Sequence, residues 1–248
     1  MLQRRRTLLE VMMVDDGAVR GSLRFDADRV RRFTAVEPGR ISIHHQRRPE
    51  RLRVEAYMEA AYAKAFGGHI RSHFPTLISV QDNDGVIHAA AGFRFAADAP
   101  LYLEHYLDLP VETAIAAGRG DRPRRDQIAE IGNLASESPG ASLFLFLALA
   151  AHLDRRRCTH AVATATRQLR RSFARVGFAT TGLTRAEPDR LPDGGADWGA
   201  YYARDPEVLA GAIAPALPAL AHLLLADPIL DSDVTPRLHP ALPGSPVQ

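Results

Sequence analysis

The stretch IAEIGNLASESPGAS, residues 128–142, constrains the fold more than any other. Its alternating faces read Ile128, Glu130, Gly132, Leu134 and Ala129, Ile131, Asn133, Ala135, a buried strand with one polar guest on each face. The run breaks at Ser136-Glu137-Ser138-Pro139-Gly140 and re-emerges as an unusually apolar helix, expected over Ser142–Arg156. A strand, HAVATAT, follows, then an amphipathic helix, RQLRRSFARV, stopped by Gly177, and another strand from Phe178. Strand, helix, strand in that order is a crossover connection.

Upstream the connections are of the other kind. Pro49 opens a helix in which Leu52, Ala56, Ala60 and Ala63 recur at helical spacing, ended by Gly67-Gly68. Thr76–Val80 and Val86–Phe95 read as a hairpin around DNDG. LYLEHYL, residues 101–107, alternates as a third strand with Glu104 on the face of Tyr102 and Tyr106, and a short helix follows over Val111–Ala117. WGAYYA reads as a last strand, and Asp205-Pro206 as the N-cap and first residue of a final helix. Hairpins and crossovers together predict an α/β (α+β) layer structure with a mixed sheet.

Three segments follow from this. Residues 1–48 read as a loosely structured basic extension with a strand around Ile41–Ile43, residues 49–213 as the folded domain, and residues 214–248 as an Ala/Leu/Pro-rich tail. The tail's leucines suit a short helix docked on the body or on a second copy, a route to a homodimer, and the last dozen residues read as disordered.

With 46% hydrophobic residues in 248, the chain can bury a substantial core. The longest apolar run, Leu143–Ala151, is far short of the roughly 20 residues that span a bilayer, so no integral membrane insertion is expected. Arg4-Arg5-Arg6 precedes TLLEVMMV, which is short, contains Glu10 and runs into Asp15-Asp16; that is poor for a signal peptide and favours a cytoplasmic address. The single cysteine, Cys158, forms no internal disulfide and reads as structural. A net charge of +2 is too mild to argue for nucleic acid. The early basic clusters, Arg29-Arg31-Arg32 and Arg47-Arg48-Arg51-Arg53, read as a solvated face or as a dock for an acidic or phosphate-bearing partner. His44-His45, His69 with His73, and His105 lack ligand spacing on one helix, so no metal is expected. Ser-His-Asp, G-x-S-x-G, P-loop and dinucleotide patterns are not legible.

The chemistry is expected around the opening stretch. Backbone N–H groups of Ser136–Ser142 and the positive end of the following helix suit a phosphate or pyrophosphate. A buried Glu130 either pairs with a cation, Arg94 being the candidate, or holds its proton more tightly than usual; a base beside an anion cradle makes a site. Arg94 can clamp a carboxylate or phosphate, and Glu104 can accept a proton or bind an ammonium, unless both lie on a solvated sheet face. Thr164 and Thr166 are strand formers that can also donate hydrogen bonds, and one of Tyr201 and Tyr202 alternates into the site's face.

Two resemblances sharpen this. The series strand, glycine loop, helix, strand, helix, VGF resembles the acyl-CoA N-acyltransferase (GNAT) fold, in which a splayed central strand and loop hold the donor's pyrophosphate; SFARVGF, Ser172–Phe178, is similar to that family's helix ending in a Gly-Phe pair. From about Arg51 to Ile213 the chain resembles the thermostable hemolysin family, itself similar to GNAT acyltransferases, through VEAYMEAAYAKAFGGHIRSHFPTLI, LYLEHYLDLPVE, IAEIGNLAS, VATATRQLRRSFARVGF and WGAYYARDPEVLAGAI in that order. An arginine expected near the start of the helix after SPG is absent, with Ala141-Ser142-Leu143 in its place. The resemblance implies a GNAT-like, mostly antiparallel central sheet with helices on both faces. It implies an acyltransferase that moves an acyl group from acyl-CoA or acyl-phosphopantetheine to the amine of a small molecule, a Glu acting as general base. The implied residues are Glu130, Glu104 and Tyr201 for catalysis, Asn133, Leu134, Ser136, Gly140, Ala141, Ser142 and Thr166 for the donor, and Arg94 and Thr164 for the acceptor. A version similar to acyl-homoserine lactone synthases would dock an acidic acyl carrier protein on the basic N-terminal third. The rivals are a non-catalytic thioester or small-molecule binding module and a membrane-active hemolysin working through the leucine-rich tail.

Overall fold

In the computed structural model, residues 7–45, 48–120 and 122–224 are described. Arg4–Arg6, Arg47 and the last dozen residues, which carry expectations above, lie outside them. The elements are β1 (Leu8–Asp15), β2 (Ala18–Asp26), α1 (Ala27–Phe33), β3 (Arg40–His44), α2 (Pro49–Phe66), β4 (Thr76–Gln81), β5 (Ile87–Phe95), α3 (Val111–Arg119), β6 (Ile128–Ser136), α4 (Ala141–Arg155), β7 (His160–Ala165), α5 (Arg167–Arg175), β8 (Thr180–Arg185), β9 (Glu207–Ala212) and α6 (Ile213–Leu224). The strands form one sheet in the order β2-β1-β3-β4-β5-β6-β7-β9-β8. β1 with β3 and β6 with β7 run parallel, and the other pairs antiparallel. Helices cover both faces, as expected. α1, α4 and α6 pack with Phe25, Ile78, Phe93 and Phe144 on one side; α2, α3 and the turn Tyr102–Tyr106 close the other.

Local chemistry explains the elements. Pro49 starts α2, and Gly67 ends it in the left-handed conformation, its N–H on Ala63 O at 2.8 Å. Arg51, buried one turn in, donates to Phe74 O at 2.6 Å and Pro75 O at 2.8 Å. That grip sets the Phe74 ring against the sheet, where Gly92 and Gly132 leave room for it. A Cβ on either would fall within 2.8 Å of the ring. α4 is buried along most of its length, which accounts for its apolar sequence.

Four expectations change. Residues 8–44 are not a loose extension: they supply three strands and α1, β1 and β2 forming a hairpin around the left-handed Asp16-Gly17, and β1 also pairing with β3 across a longer sequence gap that ties the hairpin to the sheet. LYLEHYL is a 3₁₀ turn, Tyr102–Tyr106, whose Leu103 and Tyr106 point inward three residues apart. WGAYYA curls into two short turns, Ala196–Trp198 and Tyr202–Arg204. Asp205 is left-handed (φ 53°), and the residues after it are buried as β9, between β7 and the edge strand β8, rather than in a helix. The tail does dock: Ile213, Ala216 and Leu220 of α6 are buried, and α6 packs on α4.

Candidate active site

β6 and β7 pair only from Ile128–Ile131 with His160–Ala163. Beyond that point Gly132–Ser136 stays with β5 and Thr164–Ala165 with β9, so the two parallel strands part. A bulge marks the parting. Gly132 faces Gly92 and Ala135 faces Ala90, which leaves Asn133 and Leu134 together opposite Ala91, with Asn133 left-handed at φ 50°. Asn tolerates that conformation better than most residues. Its side chain is buried, and its amide nitrogen has no hydrogen-bond partner. Orphaned donors of this kind are rare in folded proteins and call for an explanation. Leu134 turns to an apolar crevice of about 40 Å³ among β6, β7, β9, α4 and α5.

Glu130 lies on the second face, 3% exposed. It accepts from Tyr102 N at 3.0 Å and Leu103 N at 2.9 Å, and Arg94 Nε stands 3.0 Å from its Oε2, although that N–H does not point along the contact. Burial pushes its carboxyl above the usual carboxylate range, against the pull of Arg94 and the two N–H groups. The Glu130–Arg94 ion pair left open above is therefore present, and Arg94 also caps the Phe74 ring at 4.5 Å.

Glu104 has a different job from the one expected. It accepts from Leu101 N (2.8 Å), Val111 N (3.0 Å) and both terminal nitrogens of Arg125 (2.7 and 3.0 Å). Burial alone would raise its pKa, but Arg125 and the two N–H groups outweigh that and hold it at about 2. A carboxylate so occupied ties the 3₁₀ turn to α3 and is a poor proton acceptor. Tyr201 is likewise committed. Burial keeps its hydroxyl protonated far above the usual tyrosine range, and that hydroxyl donates to Thr164 O at 3.1 Å. Its ring joins an aromatic belt: Phe66 at 5.3 Å and Trp198 at 5.4 Å, with Trp198 in turn 6.0 Å from Tyr102 and donating to its hydroxyl at 3.2 Å.

The expected anion cradle is closed. Gly140 is left-handed (φ 80°), and a Cβ there would lie 2.5 Å from Phe33 O. Thr34 Oγ1 donates to Pro139 O at 2.7 Å, and the N–H groups of Ala141 and Leu143 are taken by Ser138 O and Gly140 O. Ala141 is fully buried, Ser142 half-buried, and Ser136 Oγ reaches Ser138 O at 3.4 Å. The neighbouring recess includes Glu37, Asp82, Asp84 and His88, with Glu37 paired to Arg31 and Asp82 to His88, and no arginine or lysine among the described residues lines it to receive an anion. A Ser-His-Asp chain does exist here, contrary to the sequence reading: Asp82 Oδ2 to His88 Nε2 is 2.9 Å and His88 Nδ1 to Ser138 Oγ is 2.8 Å. It pins the loop to the β4–β5 hairpin, and the residue after the serine is Pro139, which has no N–H to offer an oxyanion.

Thr166 caps α5 through Leu169 N (3.4 Å), beside an open pocket that contains Arg167, Arg171 and Arg204. Arg171 and Arg204 were missed from sequence. The basic start of RQLRR after a core strand was the available signal, but Arg204 joins it only through the fold.

No helix among the described residues is long and apolar enough to cross a membrane. No curated protein sequence matches the chain. Solved structures do. The AHL synthase LasI is 14% identical, with a TM-score of 0.52 over 75% of this chain and 96% of LasI. BjaI, a CoA-dependent acyl-homoserine lactone synthase solved with SAM and isopentyl-CoA, is 15% identical, with a TM-score of 0.50 over 82% of this chain and 94% of that one. TofI, solved with an inhibitor and MTA, is 16% identical at a TM-score of 0.50, over 73% and 95% of the two chains. At such identities the likeness establishes the fold, a GNAT-like acyltransferase fold. Residues 44–217 match the model of one family, and with that match covering most of the chain, the protein belongs to the thermostable hemolysin family.

Proposed function

We propose that the parting of β6 and β7 is an acyl-transfer site, taking an acyl group from a CoA or carrier-bound thioester to the amine of a small molecule. The observation that carries this reading is the buried, unpartnered amide of Asn133 at a bulge where two parallel strands separate. The thioester lies along the gap with its acyl end toward the crevice at Leu134. Its carbonyl oxygen takes hydrogen bonds from Asn133 Nδ2 and from strand N–H groups that β7 no longer pairs, and these strengthen as charge builds on that oxygen. The amine attacks the carbonyl carbon, the C–S bond breaks, and the amine's proton leaves through water to Glu130, whose raised proton affinity suits a base. The thiolate departs and is protonated by solvent. Fold likeness to acyl-homoserine lactone synthases supports the reaction class.

The closed cradle at Gly140 favours one alternative, a module that binds thioesters without turning them over. A thiol-release assay with acyl-CoA and carrier-bound thioesters against a panel of amines separates the two. Release that requires an amine and falls about 10²- to 10⁴-fold in Glu130→Gln supports acyl transfer. Thioester binding with no thiol release from any donor would sink it.

A further inference from the structure

We propose that the pocket at the start of α5 anchors the phosphate of a phosphopantetheine arm, the feature that CoA and carrier-bound donors share. This deepens the acyl-transfer reading and rests on it. The pocket has a volume of about 520 Å³, and its lining includes Phe66, Thr166, Arg167, Arg171, Arg204 and Asp205. Three guanidiniums thus face one carboxylate. That carboxylate is already shared: Arg167 Nη2 lies 2.9 Å and Arg170 Nη2 3.2 Å from Asp205 Oδ2. Neither the Arg171 nor the Arg204 guanidinium has a hydrogen-bond or ion-pair partner among the described residues. Two uncompensated guanidiniums on one recess match the chemistry of a phosphate, whose oxygens accept paired N–H groups from arginine.

Position gives the pocket its meaning. Ala163 is the last β7 residue paired with β6, and the pocket begins at Thr166, where the parted strand ends. From Phe66 the aromatic belt runs through Tyr201 and Trp198 to Tyr102, whose backbone N–H is held by Glu130. An arm anchored at the arginines and laid along these rings leads toward the carboxylate proposed as base. The helix start usually expected to hold such a phosphate, that of α4, is blocked by Phe33 and Thr34 and flanked by acids.

Two ligands that differ only in the phosphate, 4′-phosphopantetheine and pantetheine, test this by calorimetric titration of the full-length protein. The wild type is expected to bind the phosphorylated ligand at least tenfold more tightly. The double variant Arg171→Glu/Arg204→Glu should lose that preference while its affinity for pantetheine stays within about twofold, and Arg171→Ala/Arg204→Ala should lose most of it. Absence of a preference in the wild type, or an undiminished one in both variants, overturns the assignment. The readout needs no turnover. Thiol release with an unchanged KM for acyl-CoA and for carrier-bound donor in the variants removes the anchor but leaves acyl transfer standing. A phosphate preference that the variants abolish, with no thiol release from any donor, keeps the anchor and removes acyl transfer. A rise in KM confined to the carrier-bound donor supports the anchor and identifies the arm as the carrier's.

Discussion

α4 and α5 begin at the same end of the sheet, each just after one of the two parallel strands, yet their first turns meet opposite surroundings. The start of α4 lies under Phe33 and Thr34 beside Glu37, Asp82 and Asp84. The start of α5 opens on a pocket with Arg167, Arg171 and Arg204. Both helices carry partial positive charge at their starts, and in both a first-turn N–H is already capped, Leu143 N by Gly140 O in α4 and Leu169 N by Thr166 Oγ1 in α5. What differs is the tertiary neighbourhood, and it reverses the ranking that glycine and helix patterns suggest. The arginine missing near the start of α4 fits this: a closed cradle has no anion for it to bind.

The comparison can be broken first at Gly140. Gly140→Ala must place a Cβ against Phe33 O in a left-handed conformation, and we expect it to cost about 2–4 kcal/mol in urea unfolding. Gly67→Ala, also left-handed but with nothing within 4 Å, should cost only about 1 kcal/mol. Equal costs for the two would mean that the α4 end is open. Thr34→Ala removes the hydrogen bond to Pro139 O and should cost about 1 kcal/mol without altering donor affinity. A gain in donor affinity in that variant would reveal α4 as a latent cradle. The smallest effect belongs to Thr166→Ala. Losing this N-cap should cost about 0.5–1 kcal/mol, a fall in Tm of about 1–4 °C, and raise the KM for phosphorylated donors as the start of α5, which carries Arg171, loosens. An unchanged KM with the expected fall in Tm would separate the cap from the anchor.

Much of the fold was legible where local rules act alone. Pro49 and Gly67 bound α2, DNDG bounds a hairpin, and the apolar run after Gly140 is a buried helix. Two of the failures share a cause, partners distant in sequence. The N–H groups of the 101–107 segment are taken by Glu104 from within and by Glu130 from 27 and 28 residues away, so an alternating pattern became a 3₁₀ turn. EVLAGA, read as helical after Asp205-Pro206, is held between β7 and β8. In the candidate site, the polarity of Glu130 and Asn133 marked the strand that parts from β7, but no pattern announced the bulge that orphans the Asn133 amide nitrogen. Glu104 and Tyr201 were attractive as residue types, but no pattern announced the partners that hold them, Arg125 for Glu104 and Thr164 O for Tyr201.

The most direct test of the acyl-transfer site is Asn133→Gly. Glycine accepts the left-handed backbone at this position, and the lost amide nitrogen has no hydrogen bond to give up, so folding stability should stay within about 1 kcal/mol of the wild type. If that nitrogen meets the thioester carbonyl, amine-dependent thiol release should fall about 10²- to 10³-fold, mostly in kcat. Wild-type rates in a folded Asn133→Gly protein would contradict the site.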